Sequence, residues 1–414
     1  HMLVTLATRT FTPEPTAAAL RLGALARALA AGGNRVRVLT SRLAPSVARD
    51  AASSADDPHG PTPLEREGGT QGQGAPAETG NGEGGHGLVE VRRAPVLRDK
   101  TGAVRGYVSY LSFDLPLIAR LLTGARPDVV VSEPPPTTGA AVRLACALPR
   151  LPYVYYCADI VSDAAALAGV PRPIVRAVAA LESFALRGAR SVIAVSDGVA
   201  RRARDLGAKR VVVVPNGVRV PEAVAGGVPE GFPSCTGPVF VYAGTVAHWL
   251  ATAVFVDEFE RARASLGDAR LVFVGQGSGW EELAARARGV HGVCLRSAVS
   301  ADEADRWMAR ATATLASLRP GGYDYAYPTK ILASLAQGTP VIYAGPGQAA
   351  SDVRDAGLGV ACSLDASQVA EAMVAFASDA VTWAGAEGVR AWVRAHRSVD
   401  ASSRAAAAVV CSAL

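Results

Sequence analysis

Pro328-Thr329-Lys330, heading an apolar run that Gly338-Thr339-Pro340 closes, is the stretch whose residue types and spacing can do chemistry. Proline has a preset φ and no amide hydrogen, which suits a first helical position. Ile331, Leu332, Leu335 and Ala336 recur at helical spacing, Gly338 can end the helix in a left-handed conformation, and Pro340 opens the apolar strand Val341-Ile342-Tyr343-Ala344. Unbonded amides and the dipole at such a helix start favour an anion, and Lys330 adds a mobile cation in the first turn. The chemistry suggested is capture of a phosphate or diphosphate. Of 42 lysines and arginines, only Lys100, Lys209 and Lys330 are lysine, so a compact point charge stands here against the chain's habit. A solvated lysine on an ordinarily punctuated helix is the plainer reading.

Carboxylates come next. Asp159 lies just past the apolar run Tyr153–Cys157, where clefts form at strand ends, and can orient or deprotonate a hydroxyl, amine or thiol. It can equally cap the following turn. Thr8, Arg9, Thr12, Glu14 and Thr16 occupy a polar, proline-bearing stretch after the first apolar run, and Glu133 opens the loop Glu133-Pro134-Pro135-Pro136-Thr137-Thr138-Gly139. Of these, Thr12, Glu14 and Glu133 are the candidates to line an acceptor site.

These residues need a scaffold that delivers strand ends to one edge. Leu3–Ala7, Ala17–Ala31 and Val36–Thr40 read as strand, helix and strand, one parallel βαβ unit. The alternation continues through Asp128–Ser132, Tyr153–Asp159, Ser191–Ser196 and Val211–Val214, and restarts at Val239–Thr245, Arg270–Gly275, Val293–Leu295, Ala313–Ala316 and Val341. The fold class expected is α/β, two Rossmann-like doubly wound parallel-sheet domains facing a cleft. The expected boundaries are a first domain over 2–217 and a second over 239–385. The aperiodic, Pro- and Gly-rich 218–238 reads as a linker, and 386–414 as terminal helices packing back toward the first domain. Residues 44–87 lack any apolar pattern and read as a disordered insertion. Ser367 reads as the N-cap of a late helix.

At 414 residues, 50% hydrophobic and 19% charged, the chain can fill two cores. A net charge of +5 without any Lys/Arg block argues against nucleic acid. Weak attraction to anionic nucleotides or an anionic membrane face remains compatible with it. The six cysteines form no CxxC pair, so neither zinc nor a disulfide framework is expected. No apolar run reaches the roughly 18–20 residues of a membrane span, and no leader pattern opens the chain, so a cytoplasmic location is expected.

Taken in order, Asn216-Gly217 after a Val-Val-Pro run, Ala243-Gly244-Thr245, Val274-Gly275-Gln276-Gly277, and Pro328-Thr329-Lys330 leading to Gly338-Thr339-Pro340 resemble the retaining GT-B glycosyltransferases of family 4. The branch with a Pro-Ser/Thr-Lys signature is the nearest in pattern, and Pro13-Glu14-Pro15, the Tyr156–Ser162 segment and Val195-Ser196 also resemble it. The resemblance implies an NDP-sugar donor on the second domain, with UDP or GDP as carrier, and an acceptor on the first. Lys330 would pair with the departing diphosphate without a metal. Gly244, Thr245, Gly275, Gly277, Tyr325, Pro328, Thr329 and Ile331 would surround the donor, and His248 would contact phosphate or a developing oxyanion. No bound cofactor is implied beyond the co-substrate.

The family pattern carries two glutamates eight positions apart, and here those positions hold Tyr325 and Ala333. Asp324, Ser334 or backbone groups would then hold the ribose. The function expected is transfer of a sugar to a small-molecule acceptor, in specialised-metabolite or low-molecular-weight thiol or glycoside biosynthesis. The alternatives are a cell-surface polysaccharide or lipid-linked acceptor with peripheral membrane contact, a GT-B epimerase or hydrolase, and a non-catalytic nucleotide-sugar binder. A dinucleotide oxidoreductase is disfavoured, because neither first strand is followed by GxGxxG. Oligomeric state is not legible.

Overall fold

The structure is a computed structural model that describes residues 1–14, 16–43, 66–67, 88–98, 107–167, 169–247, 250–321 and 326–414. These divide into two units, His1–Asn216 with Ser402–Leu414, and Gly217–Ala401. Of the expected insertion at 44–87, Arg66–Glu67 pairs as a short strand and the stretches 44–65 and 68–87 lie outside the described residues.

The first unit runs β1 (Leu3–Ala7), α1 (Ala17–Ala31), β2 (Arg35–Ser41), β3 (Arg66–Glu67), β4 (Val89–Ala94), α2 (Tyr107–Thr123) and β5 (Val129–Ser132). It continues with α3 (Pro136–Ala147), β6 (Tyr153–Cys157), α4 (Val161–Leu167), α5 (Arg172–Gly188), β7 (Ser191–Ala194), α6 (Asp197–Asp205) and β8 (Val211–Val213). The strands lie in the order β3-β4-β2-β1-β5-β6-β7-β8, and every pairing is parallel. Parallel sheets are covered by helices on both faces, so their strands read as unbroken apolar runs, and β5, β6 and β7 are buried along their whole length. Each fully buried Val or Leu there contributes about 1.5–3 kcal/mol relative to exposure.

The second unit runs β9 (Val239–Thr245), α7 (Ala253–Arg261), β10 (Arg270–Gln276), α8 (Trp280–Ala287), β11 (Val293–Ser297), α9 (Ala301–Arg310) and β12 (Ala313–Ser317). After these come α10 (Thr329–Ala336), β13 (Val341–Ala344), α11 (Gln348–Asp355), β14 (Gly359–Cys362), α12 (Ala366–Ala377) and α13 (Gly385–His396). Its parallel sheet has the order β11-β10-β9-β12-β13-β14. In both sheets the chain first builds on one side of its first strand, with β3 lying outside β4 in the first sheet, and then returns to that strand's other side. The switch points therefore fall between β1 and β5 and between β9 and β12, where open α/β sheets hold ligands beyond their carboxyl ends.

Three expectations change. The aperiodic 218–238 belongs to the second unit, where Ala225 N donates to Gln337 Oε1 at 2.8 Å and Arg390 Nη2 donates to the Pro221 and Glu222 carbonyls at 2.7 and 3.1 Å. Side chains satisfy its backbone where no strand or helix does. Of the terminal segment, α13 packs on α10 within the second unit, and only Ser402 onward, in the last helix α14 (Val399–Cys411), joins the first. There Ala406, Val409 and Val410 enter the core with Leu25, Leu29 and Val36. Asp365, not Ser367, caps α12, accepting from Ser367 N at 3.1 Å.

Candidate active site

Lys330 stands at the switch point of the second sheet. Pro328 occupies the N-cap with extended backbone and no side-chain cap, so the first amides of α10 have no partner within the helix. The half-buried Lys330 side chain reaches toward the end of β9, where Nζ donates to Tyr242 Oη and to the Thr245 carbonyl at 3.3 Å. The ammonium also lies 4.1 Å from the Tyr242 ring centroid. Tyr242 Oη in turn donates to the Thr245 carbonyl at 2.7 Å, so its lone pair is free to accept from the lysine. Burial lowers the Lys330 pKa from 10.5 to about 7. The result is an amine aimed by two acceptors and an aromatic face, with no carboxylate partner among the described residues.

Gly244 makes room for this arrangement. Its φ is +137°, and a Cβ there would stand 3.3 Å from Lys330 Cε. Gly275 and Gly277 have a different reason: a Cβ at either would lie 2.0 Å from the Gly244 carbonyl or 2.1 Å from the Val246 carbonyl. Close approach of the β9 and β10 backbones therefore demands these two glycines, with Gly275 paired to Gly244 and Val246 N donating to Gln276 O at 2.8 Å. Across the switch point, Ser317 Oγ at the end of β12 donates to the Leu250 carbonyl in the loop after β9.

Other expected donor residues divide. Thr329 is exposed beside Lys330 and Pro328 is buried. Ile331 turns inward among Leu318, Leu335 and Tyr343, and its amide donates to the Pro328 carbonyl at 3.1 Å, so it presents nothing to a ligand. Ser334 is likewise closed to a ribose: it accepts from Thr314 Oγ1 at 2.6 Å and donates to the Thr339 carbonyl at 3.0 Å in the core. His248, Asp324 and Tyr325 lie outside the described residues. Gly338 takes φ +79° and ends α10 as its position suggests.

In the first unit, the switch point gathers Thr8, Glu133 and Arg21. Glu133 is buried; Oε1 accepts from Thr8 Oγ1 at 2.6 Å and Oε2 from Arg21 Nη2 at 3.3 Å. Burial raises its pKa, and the Arg21 guanidinium pulls it back. With both oxygens engaged, Glu133 holds Arg21 rather than facing an acceptor. Arg21 extends over the Tyr156 ring, 5.1 Å from its centroid. Asp159 is exposed beyond β6, yet the surrounding protein still desolvates its carboxyl and raises its pKa, with Arg21 opposing. The turn after Asp159 is capped by Glu182, whose carboxylate accepts from Val161 N at 2.7 Å and Ser162 N at 3.2 Å, which leaves Asp159 outside that role.

Glu14 and Thr12 sit in the loop after β1. Glu14 is half-buried, its pKa is raised by burial, and its Oε1 has no hydrogen-bond partner, while the Thr12 carbonyl accepts from Arg93 Nη2 at 2.6 Å. Sequence reasoning missed Tyr242, Arg21 and Glu182. Tyrosine amid the aliphatic β9 run was the available signal for the first, since a buried phenol needs a partner.

Among the described residues, no group of three or more His, Cys, Asp or Glu side chains is placed to hold a metal ion, and no helix is long and apolar enough to cross a membrane.

A family model described as glycosyl transferase 4-like domain matches residues 16–217, and one described as glycosyl transferases group 1 matches residues 237–379. No curated protein matches the chain in sequence. Among solved structures, Anabaena HepE in complex with UDP and glucose is 15% identical with a TM-score of 0.62, each chain covered in full. Sucrose-phosphate synthase from Thermosynechococcus elongatus is 14% identical over 100% of this chain and 99% of that one, with a TM-score of 0.63. A Rickettsia africae glycosyltransferase is 13% identical over 100% and 98%, with a TM-score of 0.64. With two family models over both halves and two parallel Rossmann-like sheets beneath them, this chain belongs to the GT-B glycosyltransferases and is a glycosyltransferase enzyme.

Proposed function

We propose that the enzyme transfers a sugar from a nucleoside diphosphate sugar, with UDP or GDP as carrier, to a small-molecule acceptor, retaining the anomeric configuration and without a metal. The observation that carries this reading is Lys330, held at the β9–β12 switch point beside the open amides of α10. Glycosyl transfer leaves a diphosphate, and its charge grows as the glycosidic bond breaks. A cation already aimed, with no carboxylate partner among the described residues, stabilises that leaving group more than the ground state, which is the form of binding that raises rate. The UDP and glucose bound by HepE support the same donor chemistry.

Asp159 serves the acceptor. Its raised pKa suits a carboxylate that takes up a proton, and Arg21, anchored by Glu133, keeps it from being neutralised outright. Retention rests on the family likeness alone. The ribose is held by backbone at the ends of β9 and β12 or by Asp324, since Ala333 offers no carboxylate and Ser334 is engaged inside. Incubation with UDP- and GDP-sugars and a panel of hydroxyl, amine and thiol acceptors tests the reading. Acceptor-dependent release of nucleoside diphosphate supports it, and release with no acceptor dependence contradicts it.

A further inference from the structure

The first unit has a second concave surface at the edge opposite Thr8, Glu133 and Asp159. It is formed where β6, β7 and β8 begin and α3 and α5 end, a recess of about 890 Å³. Its walls carry Arg143, Arg150, Arg187, Arg190, Lys209 and Arg210, Ala413 and Leu414 also line it, and among the described residues no Asp or Glu side chain does. None of the six pairs with a carboxylate among the described residues, whereas Arg202, nearby in the same unit, is paired to Asp163 at 2.7 Å. Arg143 lies over the Phe184 ring at 4.0 Å and donates to the Phe184 carbonyl, and Arg210 Nη2 is 3.5 Å from Ser412 Oγ. The floor is apolar, with Ala147, Leu151, Pro152 and Ala189.

The geometry points to a binding site for a ligand carrying several phosphate groups. Like charges crowded together repel one another, and an arrangement that keeps six of them around one recess gains most from a multivalent anion. Guanidinium forks match phosphate oxygens in pairs, which suits the five arginines. The volume fits a nucleotide-sized molecule. Leu144 and Leu148, 58% and 86% exposed beside Arg143 and Arg150, would also let the same surface take phosphates borne on a lipid bilayer.

Two probes separate the sources: inorganic tripolyphosphate by titration calorimetry, and phosphatidylglycerol against phosphatidylcholine vesicles by co-sedimentation. The variants are Arg190→Ala/Lys209→Ala/Arg210→Ala, all exposed positions, and Arg172→Ala/Arg176→Ala/Arg204→Ala, which removes the same charge from elsewhere on the unit. Lys330→Ala is the third comparison, because the donor site also attracts phosphate. The site predicts that at least one probe binds wild type and Lys330→Ala alike. It predicts a loss of about tenfold or more in the recess variant and less than about twofold in the control. Tripolyphosphate binding identifies a soluble ligand, and binding of phosphatidylglycerol vesicles alone identifies a lipid surface. Binding of neither probe, equal losses in both triple variants, or loss only with Lys330→Ala would overturn the proposal.

Discussion

Lys330 and Tyr242, 88 residues apart, meet twice: the ammonium donates to the phenol oxygen and lies 4.1 Å from the centre of the same ring. Tyr242 is itself fixed by packing on Phe255 and Phe273, with ring centroids at 6.4 and 5.7 Å. A core aromatic thus positions the residue proposed to meet the diphosphate, and the lysine inherits the rigidity of the sheet. Tyr242→Phe keeps the ring and removes the oxygen. We expect kcat/KM to fall about tenfold, while the midpoint of thermal unfolding moves by only a few degrees. An unchanged kcat/KM would remove Tyr242 from the account.

With a pKa of about 7, Lys330 is largely neutral at pH 8 in the free enzyme, and a bound diphosphate favours its charged form. Binding at pH 8 should therefore take up close to one proton, and the uptake should fade below pH 6, where the ammonium is already formed. Calorimetry in buffers of different ionisation enthalpy measures this directly. Lys330→Ala should abolish the uptake.

Gly244→Ala asks for a side chain at φ +137° and places its Cβ 3.3 Å from Lys330 Cε. The backbone conformation alone costs about 1–3 kcal/mol. Urea unfolding should show a loss of that size, together with weaker diphosphate binding because the lysine is displaced.

Arg21 and Glu133 form a pair whose halves are not equivalent, the carboxylate buried and the guanidinium half-buried. Arg21→Ala strands a carboxylate inside the unit and should cost about 3–5 kcal/mol at pH 7. Glu133→Gln keeps an acceptor for Thr8 and should cost about 1–3 kcal/mol. In Arg21→Ala the Glu133 pKa, already raised by burial, loses its main lowering influence and rises further. The folded state then binds a proton more readily than the unfolded one, so stability recovers as pH falls through that raised value. The Arg21→Ala deficit should shrink between pH 7 and pH 5 in urea titrations, and a deficit independent of pH would exclude this origin.

Much of this was legible in the sequence. Apolar runs alternating with helical periodicity imposed parallel sheets, and Pro328, Lys330 and Gly338 marked a helix whose start is chemically open. Ile331, adjacent to Lys330 in sequence, lies about 100° around the helix and so faces the core with Leu335. Gly275 and Gly277 carried a ligand-side reading in sequence, whereas the cause is a neighbouring backbone 2.0–2.1 Å from any added Cβ. The Thr8–Glu133–Arg21 cluster joins residues up to 125 positions apart, and only the strand order brings them together. Residues 218–238 lack periodicity because one backbone bridge, from Val218 to Ser398, and side-chain hydrogen bonds hold them rather than a continuous ladder.

The central claim is that Lys330 and the start of α10 form the diphosphate site, and thermal unfolding in the presence of UDP, GDP, TDP, CDP and ADP tests it most directly, with wild type beside Lys330→Ala. The account predicts that UDP or GDP raises the midpoint of wild type and leaves Lys330→Ala unmoved. Equal stabilisation of both proteins, or none of either at millimolar nucleotide, would contradict it.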